Sequence, residues 1–173
     1  MERKNYWNEL LKYGAIIGLV EIVASALGMM TSSTLISLLA LVAYIYLMYR
    51  FTGRRAAQMP AERGFSYGDG WKFIVMIGLF AGFLTGVYEI FARNIFFTAR
   101  YEEVMAQTME IMAQTMRGQM SEFKEVMHKT MYSPAMILFS GVLGGFIKSA
   151  FFGLFIAAFT SRKPDIFADK PNE

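Results

Sequence analysis

Four long apolar runs separated by polar segments organise this chain. The third, residues 72–97 (KFIVMIGLFAGFLTGVYEIFARNIFF), carries no charge between Lys72 and Glu89. At about 1.5 Å per residue, that stretch reaches most of the way across a hydrocarbon core as a helix. Gly78, Gly82 and Gly86 recur every fourth residue. On a helix this spacing clears one face and admits a neighbouring backbone. The same face continues to Glu89 and then Arg93. Neither bare glycine patches nor ionisable groups gain by facing lipid, so the pattern predicts a packing surface on which the other helices close.

The first run, residues 6–30, places Gly14, Gly18, Glu21, Ser25 and Gly28 at spacings of three and four, on one helical stripe. Its basic start and its Ala24-Ser25-Ala26 sequence resemble a secretory signal, but Glu21 interrupts the apolar run, so a retained first span is expected. The second run, residues 34–51, has no interior charge and no clear small-residue stripe. With Tyr44, Tyr46 and Tyr49 toward one end, it predicts the most lipid-exposed helix, held by an interfacial aromatic anchor. Residues 50–72 are rich in Arg and Gly and predict a solvated loop, with Ser66 or Asp69 capping the third span. The last run, residues 134–161, opens at Pro134 and stops before Arg162 and Lys163, and in it Gly141, Gly144, Gly145 and Lys148 share a face.

Between the last two runs, Met105, Met109, Met112, Met116, Met120, Phe123, Met127 and Met131 recur at threes and fours over residues 98–132. This is an amphipathic helical pattern. Gly118 followed by Ser121, a candidate N-cap, predicts two helices in a hairpin, with one bent helix as the alternative. The fold class expected is all-α: residues 1–173 form a single membrane domain, a four-helix bundle with an extracytoplasmic amphipathic hairpin between the third and fourth spans.

Composition sharpens this picture. A hydrophobic content of 55% and a mean hydropathy of +0.36 exclude an ordinary soluble domain. The net charge of +3 does not call for nucleic acid, because the cations sit at span ends, where they orient a membrane protein. Arg3, Lys4, Lys12, Arg50, Arg54, Arg55, Arg63, Lys72, Arg162, Lys163 and Lys170 fall on one side. Arg93, Arg100, Arg117, Lys124 and Lys129 fall on the other, offset by glutamates. Both termini are therefore expected in the cytoplasm. The chain has no cysteine and a single histidine, His128, which rules out a disulfide, a thiolate site or a multi-histidine metal cluster.

Helical rise places Lys148 roughly 21 Å from Arg162, Glu89 roughly 25 Å from Lys72 and Glu21 roughly 21 Å from Trp7, all at comparable depth. A charge at mid-membrane costs about 2.5–3.5 kcal/mol on insertion scales. Lys148 is therefore expected to pair with Glu21, Glu89 or both, with Arg93 competing for Glu89. Such a network either fixes helix register or relays protons. The methionine stripe could hold Cu(I) through thioethers, but a packing surface explains it more simply, and no metal or cofactor is expected. No nucleophile–base set or phosphate-cradling loop is readable, so enzyme chemistry is not expected.

Three segments together carry a family resemblance: WNELLKYGAIIGLV near the start, GFSYGDGWKF at the re-entry, and GGFIKSAFFGLFIAAFTSRKP after MSEFKEVM. The chain resembles the bacterial membrane family catalogued as domain of unknown function 4199. The resemblance implies a four-span inner-membrane protein and no particular activity. The function expected is a non-enzymatic accessory or scaffolding protein that binds a protein partner, or self-associates, through the methionine-rich hairpin. The runner-up is a small oligomeric ion- or proton-coupled transporter using Glu21, Glu89 and Lys148. A third class is an accessory to a glycosyltransferase or lipid-carrier pathway. A cleft open to water at Glu21 or Glu89 marks the transporter, whereas a dry bundle beneath exposed hairpin surface marks the accessory protein.

Overall fold

The computed structural model describes residues 2–31, 33–115 and 120–165, with side chains over residues 5–31, 33–112 and 126–165. The fold is all-α. Its elements are α1 (Glu2–Thr31), α2 (Thr34–Gln58), α3 (Tyr67–Phe91), a π-helical turn (Ala92–Phe96), α4 (Thr98–Thr115), α5 (Met120–Tyr132) and α6 (Pro134–Thr160). Four stretches, in α1, in α2, in α3 with its π-helical turn and in α6, are long and apolar enough to cross a membrane. Gly118 and Met116 lie outside the described residues, so the expected break between α4 and α5 does too.

The polar segment after the second run is shorter than its charge predicts. Helix α2 continues through Arg54 and Arg55 to Gln58, and α3 already begins at Tyr67. Arg55 explains the first extension, because it pairs with Glu9 of α1 at 2.9 Å and lies over the Tyr6 ring. Ser66 explains the second. Its hydroxyl accepts from the Asp69 amide at 3.1 Å and donates to the Asp69 carboxylate, closing the first turn of α3. Between them, Gly64 takes φ +66° where a Cβ would meet the Arg162 carbonyl at 2.7 Å. The chain there can lie against the exit from α6, where Phe65 and Arg162 exchange backbone hydrogen bonds of 2.9 and 2.8 Å.

Helix α3 is the centre of the bundle, and its closest neighbour is α6. The two run antiparallel through a seam of small residues. Gly70 faces Ala157, Gly78 faces Ser149, Gly82 faces Gly145 and Gly141, and Gly86 faces Gly141. Every four-residue step along α3 is matched by a four-residue step back along α6. A Cβ on Gly82 would stand 2.5 Å from the Gly141 carbonyl, so the backbones meet at a distance no side chain allows. Gly144 does not belong to this seam: nothing lies within 4 Å of its added Cβ. One residue before Gly145, it has turned off the contact face. Gly28 is equally open and departs from the expected α1 stripe, whereas Gly14 packs on Phe80 and Gly18 on Leu84 and Ala81.

At the end that holds Arg55, the four long helices close on an aromatic and aliphatic core of Leu10, Tyr13, Ile17, Met48, Phe51, Phe73, Ile74, Ile77 and Ile156. Tyr13 stacks on Phe51 with ring centroids 4.2 Å apart. At the opposite end, near Glu89, the inward residues of α1 and α2 are small and cannot fill the space between the helices. Helix α1 is as exposed as α2 along its span, because both turn an apolar face away from α3. Tyr44 is buried, so of the expected tyrosine anchor only Tyr46 and Tyr49 are exposed.

Candidate functional site

Helices α1 and α3 run parallel, and above the glycine contacts they exchange polar bonds in one constant register. Thr85 of α3 donates to Glu21 of α1 at 3.3 Å, and one turn further Ser25 of α1 donates to Glu89 of α3 at 2.9 Å. Each helix contributes one carboxylate and one hydroxyl at an i, i+4 spacing. The two acids are thereby solvated by the neighbouring helix.

The acids then take different cations. Glu21 pairs with Lys148 of α6. Glu89 pairs with Arg93, one turn along its own helix, at 3.2 Å. The choice follows from the antiparallel register of α6: Lys148 precedes Ser149, which lies against Gly78, so its side chain emerges beside the seam on the α1 and α2 side. There its ammonium lies 4.3 Å from the centroid of the Tyr44 ring, a cation–π contact.

Around Glu89 the network extends to the short helices. The Tyr101 hydroxyl of α4 donates to Glu89 at 2.7 Å, and Arg93 donates to the Met131 carbonyl at 3.3 Å. Burial, reinforced by the hydrogen bond to Glu89, pushes the Tyr101 hydroxyl well above the usual phenol range. The π-helical turn sets this geometry. Phe97 closes it by donating to the Ala92 carbonyl, and the extra residue in the turn aims the first turn of α4 back at Glu89.

Beside these pairs the bundle opens into a cleft of about 860 Å³. Its walls are Ala24, Ser25, Gly28 and Met29 of α1, Ser37, Ala40, Leu41 and Tyr44 of α2, Thr85 of α3, Arg100 and Val104 of α4, and Lys148 of α6. Gly28 is thus a wall of the cleft and makes no helix contact. The open space lies beside Glu21.

The methionine stripe divides. Met105 and Met109 are buried, so they present no surface to a partner, while Met112, Met127 and Met131 are half-buried. Met116 and the side chains of Met120 and Phe123 lie outside the described residues. The exposed apolar side chains of the short helices include Val104 and Ile111 on α4 and Val126 on α5.

Sequence reasoning singled out Glu21, Glu89, Arg93 and Lys148 but not Ser25, Thr85, Tyr101 or Tyr44 as their partners. A signal was present at the start of α2: Ser33, Ser37, Ala40 and Tyr44 recur at threes and fours, a small and polar face set apart from Leu35, Leu38 and Leu39. The α6 seam was also legible past Gly145, since Ser149, Gly153 and Ala157 continue its four-residue step.

These features define a class: a small helical bundle with four helices suited to a bilayer, a close-packed small-residue seam, and an ion pair at the foot of a cleft. The chain belongs to the family described as Protein of unknown function (DUF4199), whose model matches residues 12–162. That range contains the Glu21–Lys148 and Glu89–Arg93 pairs and every residue that walls the cleft. No curated protein and no solved structure matches the chain.

Proposed function

We propose that this protein is a small proton-coupled transporter of the bacterial inner membrane. Both termini lie in the cytoplasm and the cleft faces the opposite side. The observation that carries this reading is the cleft of about 860 Å³ with the Glu21–Lys148 pair on its wall. A pair that served only to fix helix register would need no open space beside it, since opposite charges attract in a close-packed surrounding. Here Lys148 keeps a third of its side-chain surface exposed. The small polar wall of Ser25, Ser37 and Thr85 suits water and a polar solute better than acyl chains. Glu21 serves as the proton site, and Lys148 is its counter-ion while it is ionised.

The absence of cysteine makes the test direct. In intact cells, a membrane-impermeant maleimide should label Ser37→Cys on the cleft wall and leave Leu39→Cys, on the outer face of α2, unlabelled. Proteoliposomes under an inward acid gradient, supplied with mixed small polar solutes, should take up protons faster than those carrying Lys148→Met. An unreactive Ser37→Cys variant together with equal proton uptake would remove the reading.

A second reading, docking of a protein partner or of a second copy at the α4 and α5 end, is favoured by the exposed Ile111 and Val126. It predicts that Val126→Lys releases a protein which co-purifies in mild detergent.

A further inference from the structure

The chemistry of the cleft narrows what it would carry, and this step rests on the transport reading above. We propose that its ligand is a small organic monocarboxylate, which takes the place of the Glu21 carboxylate against Lys148 while Glu21 holds a proton. Glu21 itself shows what Lys148 accepts: a carboxylate oxygen on its ammonium, with the Tyr44 ring beneath at 4.3 Å. An ammonium has three donors, and this one reaches the cleft, so an incoming carboxylate can bond it before Glu21 lets go.

Thr85 lets Glu21 exist in either form. Its hydroxyl lies 3.3 Å from Glu21 and 3.0 Å from the Ala81 carbonyl. With Glu21 ionised, the hydroxyl points its proton at the carboxylate. With Glu21 protonated, it points that proton at Ala81 and accepts one from the acid, so the contact between Thr85 and Glu21 is satisfied in either state.

Charge then fixes the class. Before exchange, Lys148 and Glu21 sum to zero. After exchange, Lys148 and a monoanion sum to zero and the protonated Glu21 adds nothing. One proton and one single negative charge enter together. A dianion would leave an excess charge, a cation would face Lys148, and a neutral solute would leave Lys148 without a counter-ion once Glu21 was protonated. The other charged and titratable groups facing the pair conform to this balance. Tyr44 of α2 meets Lys148 with its ring, Arg100 of α4 lines the cleft and pairs with Glu103, and Glu89 of α3 is joined to α1 through Ser25 and neutralised by Arg93. The walls, which combine five serines and threonines with Ala24, Met29, Ala40, Leu41 and Val104, fit a short carbon chain with or without a hydroxyl.

The test uses the full-length protein in proteoliposomes with a pH dye in the lumen. The probes are radiolabelled pyruvate, lactate and 3-hydroxybutyrate, with sulfate, tetramethylammonium and glycerol for comparison. The expected result is uptake of at least one monocarboxylate, driven by an acid exterior, with one proton taken up per anion. Lys148→Met should lose at least tenfold of that uptake. Lys148→Arg, which keeps the charge and guards against a folding failure, should retain part of it. Glu21→Gln should still exchange labelled for unlabelled anion across the membrane but no longer respond to the pH gradient. Lysine-dependent flux of sulfate, tetramethylammonium or glycerol with none of the monocarboxylates would overturn the ligand class and leave transport standing. No flux of any probe, with the Ser37→Cys variant unreactive in the same vesicles, would overturn both.

Discussion

The hydroxyl of Ser25 on α1 donates to the carboxylate of Glu89 on α3 at 2.9 Å, joining two residues 64 positions apart. The Thr85–Glu21 bond one turn below spans the same separation. Two parallel helices that exchange hydroxyl and carboxylate in this way cannot slide by a turn without breaking both bonds. Interhelical polar bonds in bilayers contribute about 0.6 kcal/mol on average. Ser25→Ala should therefore destabilise the bundle by about that much. Glu89→Leu, which also strands Arg93 and the Tyr101 hydroxyl, should cost at least about 2 kcal/mol. Reversible unfolding in mixed micelles reads both, and equal losses would mean that Glu89 does no more than accept from Ser25.

The seam between α3 and α6 makes a sharper contrast. A Cβ at Gly82 meets the Gly141 carbonyl at 2.5 Å and Gly145 Cα at 3.0 Å, both backbone atoms that cannot rotate away. Gly82→Ala should push the helices apart at a cost of about 1–3 kcal/mol, and Gly82→Leu should prevent assembly. Gly144→Ala should stay within about 0.5 kcal/mol of the parent, because the added methyl enters open space. Matching melting temperatures for Gly82→Ala and Gly144→Ala would show that the seam does not hold the bundle.

What the sequence revealed and what it concealed divide along physical lines. The four apolar runs and the glycines of α3 were legible because period and composition act within one segment. Which cation each acid takes depends on the rotation of α6 about α3. That rotation is set by the entire row from Gly141 to Ala157, and the residues alone put Gly144 and Gly145 on one face, whereas only Gly145 meets α3. The cleft was hidden for a related reason. It arises where residues such as Ser37 and Ala40 are too small to fill the gap left by helices that converge on Phe51, Phe73 and Ile156 at the other end. The burial of Met105 and Met109 follows from the direction of α4, which the π-helical turn sets and no periodicity announces.

Tyr101 gives a pH signature outside the apolar helices. Its hydroxyl is buried and hydrogen-bonded to Glu89, and both raise its pKa above the ordinary phenol value of about 10. A raised folded-state value means that the folded protein binds this proton more tightly than the unfolded chain. The stabilisation is complete below about pH 10 and is lost as pH rises toward the folded-state value. Thermal stability in detergent should therefore fall between about pH 10 and 12, and Tyr101→Phe should show a shallower fall over that window while being less stable at pH 7. Parallel curves for the two proteins would mean that Tyr101 titrates freely.

The π-helical turn offers the most specific perturbation. It holds one residue more than the α-helical turn it replaces, and Phe97 closes it on Ala92. Deleting Ile95, whose side chain is exposed, should let the segment relax to α-helix. Everything after it would then rotate by about 100° relative to α3. Tyr101 would leave Glu89, and Arg100 and Val104 would swing off the cleft they now border. With that border gone, maleimide labelling of Ser37→Cys should speed up several-fold, while labelling of Gln58→Cys, at the far end of the bundle, should not change. Tyr101→Phe should move the Ser37→Cys labelling rate in the same direction by less, because it removes the bond to Glu89 but leaves the turn in place. If the deletion leaves that rate where it was, α4 does not shelter the cleft, and access to Glu21 and Lys148 is set by α1, α2 and α6 alone.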